Sequence, residues 1–181
     1  MRRRISVIDS NVLYSVELTD LFLTFATHRL IQLHWSEVIL EEVRRSLLRT
    51  GRLSPPLINY RLTAMERALP NALASVTEDE VRSMQISEND RHVLALAVVS
   101  AADSIITFNV RDFPRDYCEN LGIAILTPDE TAAELASHDL VGATNAVHEI
   151  AHRRRNPTIS VDELLVRWET QLPSFVAAMR G

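Results

Sequence analysis

Four apolar runs, at residues 5–8, 30–34, 104–108 and 123–126, are only four or five residues long, and a turn or helix start follows each one. Between them the apolar positions take a helical interval. Ile39, Leu40, Val43 and Leu47 fall on one face, and residues 93–102 read as a helix that is apolar nearly all round. Unbroken apolar runs of this length suit strands buried on both faces. Alternating such strands with helices over short connections implies an α/β fold whose parallel sheet is covered on both sides.

Helix starts are marked locally. Thr77 with Glu80, Ser87 with Asp90, Thr127 with Glu130, and Ser160 with Glu163 all have capping-box spacing, and Pro128 sits in a first turn. After Gly51, residues 54–69 read as a helix or helical pair begun by Pro55 and Pro56. From Thr127 onward the chain reads as helical. Leu140, Ala143, Val147 and Ile150 form one stripe, and Val161, Leu164, Leu165, Trp168 and Leu172 form another. Residues 153–160, around Pro157, are the one linker-like stretch. The expected organisation is a domain over residues 1–127 and a helical extension over 128–181, packed on that domain or on a partner.

Composition removes several chemistries. The 19 basic residues are all arginine, so no lysine is available for a Schiff base or a P-loop. The lone Cys118 rules out a disulfide framework and a cysteine zinc site, and it fits a reducing, cytoplasmic setting. The longest apolar stretch, residues 93–102, is too short to cross a membrane. A net charge of −5 argues mildly against a general nucleic-acid binder. Arginines nevertheless cluster at residues 2–4, 44–52, 91–115 and 153–155, which leaves room for a local basic path.

In an open parallel sheet, ligands bind beyond the carboxyl ends of the strands, on the edge where the helices begin. That rule sorts the acids. Asp9 ends the first strand. Glu41 and Glu42 lie in the helix after the second, with Ser36 as its cap. Asp90 opens the helix before the third strand, and Asp112 lies just past that strand's end. Asp103 precedes its strand and belongs to the opposite edge. Carboxylates brought together raise one another's pKa unless a cation neutralises them, and a hard divalent ion with oxygen ligands does so. Such an ion polarises a phosphodiester and lowers the pKa of a bound water.

Each acid also has an ordinary reading. Asp9 and Asn11 suit an Asx turn, and Asp90 suits a capping box with Ser87. Asp112 reads equally as a loop acid. Glu41 and Glu42 read as solvated residues between which helical spacing does not choose. Thr107 and Asn109 suit loop backbone satisfaction. The common edge is what favours a site.

The segments "VIDSNVLYS", "SEVILEEVRRSL" and "NDRHVLALAVVSAADSIITFNVRDFP" resemble the three blocks of the PIN-domain ribonucleases, most of all the VapC-like toxins of bacterial toxin–antitoxin systems. The resemblance covers roughly residues 4–127. It implies a three-layer α/β/α sandwich and a metal-dependent endoribonuclease that uses one or two Mg²⁺ or Mn²⁺ ions. Asp9, Glu42, Asp90 and Asp112 would be both the metal ligands and the catalytic acids. Glu42 is preferred to Glu41 because an aliphatic residue, Val43, follows it directly. Asn11, Thr107 and Asn109 would orient carboxylates, water or phosphate. Arg45, Arg49, Arg91, Arg111 and Arg115 are candidate RNA contacts. An RNA substrate, a cognate antitoxin protein and a homodimer are the partners expected.

The helical tail departs from the minimal pattern, and three roles fit it: capping the site, forming a dimer face or receiving an antitoxin peptide. The alternative reading is a PIN-like scaffold that binds RNA or protein with its metal site idle. A haloacid-dehalogenase-type phosphatase needs an acid where Asn11 stands, and it needs a lysine. A response-regulator receiver lacks the same lysine, and a dinucleotide-binding fold lacks its glycine-rich first turn.

Overall fold

The computed structural model describes residues 3–155 and 157–181. Arg2, the middle of the N-terminal basic cluster, and Asn156, in the linker-like stretch, lie outside the described residues. Four strands form one parallel sheet: β1 (Arg4–Ile8), β2 (Ile31–His34), β3 (Ser104–Ile106) and β4 (Ala124–Leu126), in the order β2-β1-β3-β4. Helices flank the sheet, as the α/β reading anticipates. Beside β2, Trp35 makes a parallel bridge to Leu73, the start of a further strand that does not propagate.

The chain passes from β1 to β2 on one side and returns to place β3 on the other. Strand order therefore reverses between β1 and β3, where Ile8 pairs with Ile106. Reversal leaves a crevice beyond the carboxyl ends of those two strands, because their connections depart in opposite directions. Asp9 and Thr107, the residues next in sequence, stand at its mouth. Within the sheet, Val7, Ile8, Ile105 and Ile106 are fully buried, and the Ser6 and Ser104 hydroxyls satisfy each other at 2.8 Å. Asp103 faces the opposite edge as expected, its carboxylate accepting from the Ile5 amide at 2.8 Å.

Two helices follow β1 directly: α1 (Ser10–Leu13) and α2 (Val16–Thr27). After β2 comes α3 (Glu37–Thr50), capped by the Ser36 hydroxyl on the Ile39 amide at 3.3 Å. It buries Ile39, Leu40, Val43 and Leu47, the predicted face, and stops at Gly51, whose φ of 62° suits a residue without a Cβ. Next are α4 (Pro55–Ala68), α5 (Glu78–Ser83), α6 (Arg91–Val99) and α7 (Arg115–Asn120). The tail forms α8 (Pro128–His138), α9 (Leu140–Arg153), α10 (Val161–Trp168) and α11 (Pro173–Arg180). Among the described residues no helix is long and apolar enough to cross a membrane.

Local expectations are corrected in five places. The fourth strand is not buried: Ala124 is exposed, and Ile125 and Leu126 are only half-buried at the sheet edge. The third strand ends at Ile106 rather than residue 108, because Thr107 turns its hydroxyl to Asp9. Ser87 and Asp90 do not form a capping box. Helix α6 begins only at Arg91, and Asp90 occupies its N-cap position without bonding a helix amide. Val93 to Ala97 of α6 are buried, but Val98 and Val99 are exposed. Leu140 is half exposed and stands outside its stripe, whose place is completed by Ala146 and Ala151. The other three capping boxes, at Thr77, Thr127 and Ser160, all form.

Candidate active site

Asp9 is 6% exposed and held from every side. Its Oδ1 accepts from the Ser10 amide at 2.6 Å, which caps α1. Its Oδ2 accepts from Asn11 Nδ2 and from Thr107 Oγ1, both at 2.7 Å. Thr107 Oγ1 accepts in turn from Asn11 Nδ2 at 2.9 Å and from the Asn109 amide at 3.0 Å. Asn11 Oδ1 receives the Phe108 amide at 3.2 Å. The Asx-turn reading of Asp9 is replaced by a helix cap, since Oδ1 bonds the next amide, Ser10, rather than the amide two residues on. One carboxyl oxygen caps α1 while the other is fixed by Asn11 of that helix and by Thr107 at the end of β3. Burial pushes the Asp9 carboxyl above its ordinary pKa. The bonds from Thr107 and Ser10 pull it down, and the facing charge of Glu42 adds to the rise.

Asp9, Glu42 and Asp90 line one open cleft of about 400 Å³, together with Ser10, Asn11, Asn109, Arg45 and Arg49. Glu42 faces this cleft from α3. Glu41 points elsewhere and is half exposed, pairing with Arg44 at 3.2 Å and Arg45 at 3.9 Å. Of the two glutamates, only Glu42 is turned to the cleft. Asp90 comes from the start of α6, and its carboxyl is raised by partial burial, then by the charges of Asp112 and Asp9. Asp112 ends a 3-10 turn, Val110–Asp112, and is exposed. It lies within electrostatic reach of Asp90 but does not line the cleft.

His92 also lines the cleft, and sequence reasoning passed over it. Its Nε2 is buried and stands 3.3 Å from Glu42 Oε1, an ion-pair contact without the alignment of a hydrogen bond. Burial acts to lower the His92 pKa, but the nearby carboxylates of Glu42, Asp9 and Asp90 outweigh it and raise the net value. Glu42 is the converse case. Burial raises its carboxyl, and the proximity of His92, Ser10 and Arg45 brings it below the ordinary value. The available signal was position, two residues past Asp90 in the first turn of a helix whose N-terminus faces the cleft.

Of the five candidate arginines, Arg45 and Arg49 line the cleft. Arg91 spends its Nε on the Ile86 carbonyl at 3.1 Å, closing the loop before α6. Arg115 pairs with Glu119 at 2.8 Å and lines a separate cavity beside β4. Arg111 is exposed and sits outside the cleft lining.

Among the described residues, no three His, Cys, Asp or Glu side chains as placed are gathered closely enough to hold a metal ion. The donor chemistry of the cleft is nonetheless that of a hard cation: carboxylates flanked by hydroxyls and amides, with no thiolate. Two of those carboxyls, Asp9 and Asp90, already show the raised pKa that burial and facing acids produce.

A doubly covered parallel sheet with acids at the reversal of strand order agrees with the comparison to known families. The model of the PIN domain matches residues 6–111, more than half of the chain, and the chain belongs to that family. A second model, the VapC50 C-terminal domain, matches residues 128–181. Among curated proteins the chain is similar to "Putative ribonuclease VapC50" of Mycobacterium tuberculosis. The two are 28% identical over 118 residues, which is 65% of this chain and 70% of that protein. No solved structure matches the chain significantly.

Proposed function

We propose that this protein is a VapC-like endoribonuclease that hydrolyses RNA phosphodiester bonds with one or two Mg²⁺ or Mn²⁺ ions. In this reading Asp9, Glu42 and Asp90, which line the cleft, would hold the cation, with Asp112 acting from beside Asp90. When bound, the ion supplies charge neutralisation to the phosphodiester and activation to a water. The chain's own part is positioning. Thr107 and Asn11 hold the Asp9 carboxylate in one orientation, and Asn109 offers a further polar group at the cleft. Arg45 and Arg49 take phosphate oxygens, giving salt-dependent binding that carries no sequence information. The proposal includes a cytoplasmic protein, a homodimer and a cognate antitoxin. The name of the relative in M. tuberculosis and the match of both chain segments to PIN and VapC50 models support the class.

One observation carries the reading: Asp9 and Asp90 come from a strand end and a distant helix start, yet they share a cleft and carry raised pKa values. Incubating a mixed RNA pool with the wild-type chain and Mn²⁺ should yield cleavage that Asp90→Asn abolishes. Equal cleavage by both chains, or none with any divalent metal, would leave the idle scaffold as the better account.

A further inference from the structure

The protein has five phenylalanines, and four are core: Phe22, Phe25 and Phe175 are 0% exposed and Phe113 is 2% exposed. Phe108 alone is in water, 45% exposed. Single exposed apolar residues are ordinary on a surface, so location has to give this one meaning. Phe108 stands between Thr107, fully buried and bonded to Asp9, and Asn109, which lines the cleft. Consecutive Cα atoms are about 3.8 Å apart, so Phe108 stands beside the candidate site, next to its lining residues rather than among them. Its backbone is also clamped. The Phe108 amide donates to Asn11 Oδ1 at 3.2 Å, and the amides on either side bond Leu126 O at 2.9 Å and Thr107 Oγ1 at 3.0 Å. A ring with no polar atom is thus held in water on a backbone that follows Thr107 and bonds Asn11, the two side chains that fix Asp9 Oδ2.

We propose that Phe108 is a stacking platform for an unpaired base of a single-stranded RNA lying in the cleft. The inference rests on the nuclease reading and assigns one residue that positions its substrate. A phenyl face suits a nucleobase of any identity, while Arg45 and Arg49 of α3 take the backbone charge. Aromatic stacking beside a basic groove is how single strands are held without sequence readout. A duplex keeps its bases within its own stack and cannot offer one to the ring.

The test uses the full chain in an Asp90→Asn background, so that binding is measured without cleavage. Adding Phe108→Ala should weaken a mixed-sequence single-stranded oligoribonucleotide roughly 5- to 150-fold, the effect of one lost stack. It should leave the salt slope unchanged. Arg45→Ala, by contrast, should flatten that slope by about one. Phe108→Trp should retain affinity and report stacking directly. Trp35 and Trp168 are both fully buried, so the new indole gives the one solvent-facing emission and should be quenched by the single strand but not by a duplex. If RNA is bound and wild type cleaves it, yet Phe108→Ala binds as tightly and the indole is unmoved, stacking is overturned and the nuclease reading stands. Failure to bind any RNA overturns both. An indole emission that shifts with protein concentration alone would make Phe108 a contact between copies of the chain, also against the proposal.

Discussion

The His92–Glu42 contact shows how single residues link the cleft's charge to stability. His92 has a raised pKa in the folded protein, so its contribution is fully present below its ordinary value of 6.5 and is lost as pH rises through the folded value. Glu42 has a lowered pKa, so its contribution is fully present above its ordinary value of 4.5 and is lost as pH falls through the folded value. Both are at full strength only between those ordinary values. His92→Gln should therefore lower the urea midpoint most within that window, measured in EDTA, and the deficit should shrink toward alkaline pH. A deficit independent of pH would mean that His92 acts by packing alone. Asp9 and Asp90 share the direction of His92 and oppose Glu42. Their raised carboxyl values mean that the metal-free fold loses stability as pH climbs from the ordinary aspartate range through the folded values.

At the scale of elements, α1 is four residues long and too short to hold its shape by its own hydrogen bonds. It is braced from α4. The Arg61 guanidinium donates to the Leu13 carbonyl at 2.6 Å, to the Tyr14 carbonyl at 3.3 Å and to Thr19 Oγ1 at 3.0 Å. Those carbonyls end the helix that carries Ser10 and Asn11. Arg61→Ala should cost about 1.5–3 kcal/mol in urea unfolding, because charged bonds to largely buried acceptors are lost. Arg61→Lys should recover only part, since a point charge cannot serve three acceptors as a fork does. A loss under about 0.5 kcal/mol would mean that α1 stands without the brace. Elements like β1 and α3 were readable because burial imposes a period on their residues. Three of the four capping boxes were readable because that motif is local. The brace was not, since nothing near Arg61 in sequence marks a half-buried cation. The failed box at Ser87 follows from the same limit: spacing cannot tell a cap from a carboxylate turned to a cleft. Within the site, edge placement brought Asp9, Glu42 and Asp90 together. It missed His92, whose partner lies on another helix.

Across the whole molecule, the segments that match two family models are joined by one core. Arg153 of α9 bonds Asp20 Oδ1 and Thr24 Oγ1 of α2, each at 2.7 Å, and Arg154 pairs with Glu17 at 3.3 Å. Arg4 of β1 pairs with Glu134 of α8 at 2.6 Å. The Asp129 carboxylate accepts the Ser174 and Phe175 amides at 3.2 and 3.0 Å, seating α11 on α8. Phe175 then meets Phe25 of α2 with ring centroids 5.7 Å apart and Trp168 of α10 at 6.1 Å, and Phe25 meets Phe22 at 6.2 Å. This run of aromatic contacts leads from α2, which follows the site helix α1 almost directly, into the end of the tail. A unit that ended at residue 127 would leave Phe25 without Phe175 and the α2 acids without their arginines. Phe175→Ala should accordingly destabilise the whole chain by about 3–5 kcal/mol, the cost of emptying a fully buried aromatic site. Backbone circular dichroism and tryptophan emission should still unfold in one coincident transition. Two separated transitions, the tail melting first over an intact remainder, would show instead that residues 128–181 are an independent layer and that the site helices do not depend on them.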